Sequence, residues 1–125
     1  MKKLKEARRL VRAMDFDLDY LQAFGYKKIY TDSASSYIYV HYKKRVVVKC
    51  PCIYDDRAPK RLRIPSLMFK RKGSSLTYVV QPLATRVNLP LALVRILDQG
   101  YGHGDTDVKS SNVAWYRKQP VLIDW

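Results

Sequence analysis

Acidic side chains are scarce in this sequence. Across 125 residues, 11 Asp and Glu stand against 24 Lys and Arg, Glu6 is the lone glutamate, and the formal charge is +13. Such an excess draws anions to the surface, whether polynucleotide, nucleotide phosphates or an acidic protein, and does not choose among them. Cysteine is nearly missing too. Cys50 and Cys52 flank Pro51, too close for an unstrained disulfide and too few for a zinc site, which leaves reduced cytosolic thiols. No apolar run is long enough to span a bilayer. The basic start, Met1 to Arg9, is followed by no hydrophobic run or small-residue cleavage site. The expectation is a cytoplasmic protein with no membrane partner. Internal repeats and low-complexity segments are missing as well.

What is present is an ordinary globular balance, 47% hydrophobic and 28% charged. The length suits one domain spanning residues 1–125, with a helical segment at 1–25 and a sheet-rich core over 26–125. Tyrosine, 10 residues against 3 Phe, favours strands and interfaces, where the ring packs and the hydroxyl stays paired.

Residues 2–14 carry Leu4, Ala7, Leu10, Val11 and Met14 at helical spacing, with lysines and arginines on the other face. A helix of this kind packs on a sheet, or lies on nucleic acid or a membrane surface. Asp15 or Asp17 caps a second short helix through Leu18, Leu21 and Phe24, stopped by Gly25. Strands follow at 26–30, 37–42 and 45–50, joined by a polar turn at 31–36 and a tight one at Lys43-Lys44, as in an antiparallel meander. The stretch 51–65 is rich in breakers and charge and reads as irregular. A hairpin is expected from 67–71 and 76–80, with Pro82 ending its second strand. A short buried helix is expected over 89–97, and a last hairpin at 113–116 and 121–125 around Arg117 to Pro120. The sum is an α+β fold, an antiparallel sheet with N-terminal helices.

Chemistry concentrates in His103-Gly104-Asp105-Thr106-Asp107-Val108-Lys109-Ser110-Ser111-Asn112, with Asp124 at the end of the last strand. Metal-assisted phosphoryl transfer uses such a set. One carboxylate orients the attacking hydroxyl, an amide and a second carboxylate hold magnesium, and a lysine neutralises the phosphates. The structural alternative is a polar loop in which Asp and Asn bond to their own backbone, with Lys49 a strand-end lysine reaching solvent.

Asp107 to Asn112 resembles the protein-kinase catalytic loop, and Val121-Leu122-Ile123-Asp124-Trp125 resembles the strand and metal-binding aspartate that follow it. The Ile-Asp-Trp ending and His103-Gly104-Asp105 are similar to the aminoglycoside-phosphotransferase branch. Val46-Val47-Val48-Lys49 resembles the strand bearing the phosphate-binding lysine, and residues 76–83 the strand and hinge against which adenine stacks. The likeness covers roughly residues 26–125.

It implies a minimal kinase-like N-lobe plus catalytic loop, using ATP and Mg2+. Lys49, Gln81 and Leu83 would meet the nucleotide, Asp107 would be the catalytic base, and Lys109 would steady the transferred phosphate. Asn112 and Asp124 would hold magnesium. Asp105 competes with Asp107 for the catalytic role; Asp107 is preferred because it aligns Asn112 and the spacing to Asp124, leaving Asp105 and His103 as supporting groups. The turn 31–36 contains no glycine. The usual lysine–glutamate pair lacks its acidic member unless Glu6, Asp55 or Asp56 replaces it. A kinase would also continue past Trp125, so the likeness is to a severely truncated core, of a kind that suits a phage.

The functions implied are nucleotide binding with phosphotransfer, or a degenerate core serving as a docking protein for an acidic partner. A homodimer would shield a core left open by truncation. The alternative is a basic nucleic-acid-binding module. It would use the clusters Lys2 to Arg12, Lys60 to Arg63 and Lys70 to Lys72, with interleaved tyrosines stacking on bases.

Overall fold

A computed structural model of the chain describes residues 2–30, 37–50, 60–98 and 113–123. They belong to two compact units, one formed by residues 1–52 and 65–83, the other by 53–64 and 84–125.

The first unit opens with helix α1 (Lys2–Ala13), whose Leu4, Ala7 and Val11 are buried. Phe16 N–H reaches back to the Val11 carbonyl at 3.0 Å, closing the helix with Asp15 and Phe16 in left-handed conformations. A 3-10 helix (Leu18–Phe24) follows. Asp17 caps it by accepting from Asp19 N–H, and Gly25 ends it at φ 92°. Gly25 was expected as the stop, and Asp17 is one of the two caps, Asp15 or Asp17, that the sequence offered.

Five strands form one antiparallel sheet: β1 (Lys27–Tyr30), β2 (Tyr37–His41), β3 (Val46–Cys50), β4 (Leu67–Lys70) and β5 (Thr77–Pro82). The first three make the expected meander, with Lys28 opposite Tyr39 and Val40 opposite Val47. Beyond β3 the order changes to β1-β2-β3-β5-β4. The chain crosses to the far edge as β4 and returns as β5, which fills the gap beside β3. Side chains alternate across each strand. Val46, Val48 and Cys50 of β3, with Tyr78 and Val80 of β5, therefore share a face with α1 and build a core with Leu18, Leu21, Tyr26, Tyr39 and Phe69. Burying each such aliphatic side chain stabilises the fold by about 1.5–3 kcal/mol.

In the second unit, helix α2 (Leu89–Asp98) packs on the hairpin β6 (Val113–Tyr116) and β7 (Gln119–Leu122) through Ala92, Ile96, Val113 and Leu122. The hairpin turns on two residues, not the four expected. Arg117 and Lys118 take φ of 50° and 65°, the pattern of a type I′ turn, and Pro120 sits inside β7 opposite Trp115. Neither turn residue is glycine or asparagine, so the usual signal was missing. A 3-10 turn at Lys60–Leu62 buries Leu62 in the same core, and Ile64 N–H donates to Leu122 O at 3.0 Å.

The coarse fold class holds: a mixed α+β chain with an N-terminal helix and a multi-stranded antiparallel sheet. No helix among the described residues is long and apolar enough to cross a membrane.

Candidate functional site

Lys49 and Gln81 come from adjacent strands. The register sets Val47 against Gln81 and Lys49 against Val79, so these four share the sheet face opposite the one that α1 covers. Ile38 and Val40 of β2 belong to that face too, opposite Lys49 and Val47. Lys49 is half-buried. Gln81 is buried, and its Nε2 donates to Ser66 Oγ at 3.1 Å, the pairing a buried amide requires. Just past the strand, Leu83 N–H donates to Arg45 O at 2.8 Å, and Leu83 O accepts from the Arg45 guanidinium at 3.3 Å. The Leu83 backbone is thus engaged in tying β5 to the start of β3, and its side chain is half-buried.

Glu6 does not serve as the partner of Lys49. It belongs to α1, on the other side of the sheet, where burial first and the Glu6 charge second push the Tyr26 hydroxyl pKa up. Asp55 and Asp56, the other substitutes, lie outside the described residues. So do the turn 31–36 and the whole set His103, Asp105, Asp107, Lys109, Asn112 and Asp124. What is described are the elements flanking that set: α2 before it and the β6–β7 hairpin within it. Among the described residues no three His, Cys, Asp or Glu side chains gather as a metal site. Cys50 is a buried core side chain, and burial raises its thiol pKa.

Three features escaped the sequence reading. The first is a polar link on the first unit. Tyr39 Oη donates to Asp19 Oδ1 at 2.6 Å, and Lys28 Nζ lies 3.3 Å from the same oxygen. These contacts, the tyrosine's first, hold the Asp19 carboxyl below the usual carboxylate range. The second is a shallow groove lined by Leu10 and Ala13 of α1 with Met14, Asp15, Asp17, Tyr20 and Phe24. The third is the anchoring of Trp115: its Nε1–H donates to Val87 O at 2.8 Å, and the Arg95 guanidinium stands 5.4 Å from the ring centre. All three join residues distant in sequence or on separate elements, so no local pattern announced them.

The basic clusters are more legible. Lys2, Lys3, Lys5, Arg9 and Arg12 are exposed on α1, and Lys70, Arg71 and Lys72 are exposed at the end of β4 and its turn. The Arg12 guanidinium sits 5.6 Å from the centre of the Phe69 ring, which sets the arginine flank of α1 beside β4. Comparison with protein families, with curated proteins and with solved structures finds no match.

Proposed function

We propose that this chain is a kinase-like nucleotide-binding protein that holds ATP with magnesium and serves phosphotransfer, or docking where the transfer has been lost. What carries the proposal is the sheet face shared by Lys49 and the end of β5. Lys49 pairs with Val79, and Leu83 lies four residues further along, about 13 Å at roughly 3.3 Å per residue. That separation is comparable with the reach of a nucleotide whose base meets Leu83 and whose phosphates meet the lysine ammonium. Both residues are half-buried, whereas Val47, Val79 and Gln81 between them are buried.

Further support comes from the second unit. Val113 pairs with Leu122, so the chain enters β6 and leaves β7 at the same end of the hairpin. In sequence, Asn112 immediately precedes β6 and Asp124 lies two residues after β7. Their donor chemistry fits the ion, since magnesium prefers carboxylate and carbonyl oxygens. Bound magnesium would supply charge neutralisation at the phosphates. In this scheme Lys49 binds the phosphates, Asp107 orients the acceptor hydroxyl and receives its proton, and Lys109 holds the moving phosphoryl group.

Calorimetric titration with ATP, with and without magnesium, tests the proposal on the wild type, Lys49→Gln and Asp124→Asn. Saturable binding is expected, weakened by Lys49→Gln in both conditions and by Asp124→Asn only when magnesium is present. Absence of binding at millimolar nucleotide would reject it.

A further inference from the structure

Lys5, Arg8, Arg9 and Arg12 occupy positions i, i+3, i+4 and i+7 of α1, a single stripe along one side of the helix. Each is a helical neighbour of two others of the same sign. The first turn contains no acidic residue, and Lys2, Lys3 and Lys5 set positive charge against the positive end of the helix dipole. For the isolated fold this arrangement is unfavourable twice over. An anion laid along the helix turns both effects into attraction.

The stripe borders further charge. Arg12 rests over Phe69 of the edge strand β4, which continues into exposed Lys70 and Lys72. Arg71 in the same turn is matched by Asp15 at 3.3 Å and adds little. We propose that the Lys5–Arg8–Arg9–Arg12 ridge, with the β4 turn beside it, binds the phosphate backbone of a nucleic-acid duplex.

Two observations select this partner. Leu4, Ala7 and Val11 of α1 are spent in the core, so the cationic side of the helix has no hydrophobic residues of its own to insert into a lipid surface. Binding to single strands joins a basic track to rings on which bases stack. Here Phe69 and Tyr78 beside the stripe are buried and stacked with ring centres 5.8 Å apart, with Phe16 packed against both. The exposed rings Tyr20 and Phe24 belong to the groove on the opposite flank, with Leu10 and Met14. A rigid row of cations without a stacking platform suits a rigid row of phosphates. The ridge contains no residue of the proposed nucleotide set, so either proposal can fail alone.

Fluorescence anisotropy with a labelled random 20-base-pair DNA duplex, over a range of salt, tests the proposal. Binding is expected to weaken with salt. In Lys5→Gln/Arg9→Gln, both exposed positions, the slope of log K against log salt should fall by about two. The same loss of charge in Lys43→Gln/Lys44→Gln, on the β2–β3 turn, should leave the slope nearly unchanged. Because like charges are removed from one helix side, the melting temperature of the α1 variant should hold or rise. Equal slopes in the two variants would mean diffuse charge and overturn the proposal. So would early melting of the α1 variant, equal affinity for polyglutamate or anionic vesicles, tighter binding of the single strand, or no binding at low salt.

Discussion

The sheet unit gathers its core from segments that announce themselves: a helix of 3.6 period, β-branched strands, a capped turn. The unit of α2 and the last hairpin gathers a smaller core from Leu62, Ala92, Ile96, Val113 and Leu122, and joins the 60–64 segment to the end of β7. The sheet unit carries the cationic ridge and Lys49. The sequence of the other holds nearly all the residues whose chemistry suggests a reaction. Regular elements position charge on a surface, whereas candidate reactive groups cluster in a polar, glycine-bearing stretch between elements.

The contrast can be broken most forcefully in the cores. Leu21 and Ile96 are fully buried, one in each. Truncation to alanine should cost about 2–5 kcal/mol at either position. Both tryptophans, Trp115 and Trp125, belong to the second unit. Ile96→Ala should therefore lower the denaturant midpoint followed by tryptophan fluorescence. Leu21→Ala should lower the midpoint followed by circular dichroism of the sheet. Interchangeable responses would mean that the two cores unfold as one.

A smaller effect is expected at Gly25. Its φ of 92° disfavours any side chain, and a Cβ there would lie 2.9 Å from His41 Nε2. That imidazole is held by a hydrogen bond from Lys44 N–H to Nδ1 and by edge contact with Tyr26. Gly25→Ala should destabilise by about 1–2 kcal/mol in chemical denaturation. The opposite sign is expected in the second unit. Lys118→Gly relieves a left-handed residue in the two-residue turn and should stabilise by about 0.5–1 kcal/mol.

The smallest effect is a pH dependence confined to the sheet unit. The pKa of Asp19 is depressed in the folded state by Tyr39 and then Lys28. The link therefore stabilises above the unfolded carboxylate value and is lost as pH falls through the folded one, below about pH 4. Tyr39→Phe should melt slightly earlier at pH 7, with the difference closing as pH falls below about 4.

Much of the sheet unit was legible because its signals are local. Leu4, Ala7 and Val11 fixed the buried side of α1, Gly25 and one of two offered caps, Asp17, bracketed the 3-10 helix, and the valines of β3 marked a strand. The position of β5 between β3 and β4 was not legible, since strand order depends on pairing across distance. The Arg117–Lys118 turn was misplaced because its residues lack the usual left-handed preference, and Pro120 suggested a loop where a strand runs. Of the candidate site, Lys49, Gln81 and Leu83 can be placed. The sheet alternation that brings Lys49 and Gln81 to one face also removes Glu6 from contention.

That face gives the most direct measurement, methyl NMR during titration with ATP and magnesium. Nucleotide bound beside Lys49 should shift the methyl signals of Ile38, Val47 and Val79 and leave those of Val46, Val48 and Val80, on the α1 side, in place. Saturating nucleotide that moves only the α1-side methyls, or none at all, would contradict the account.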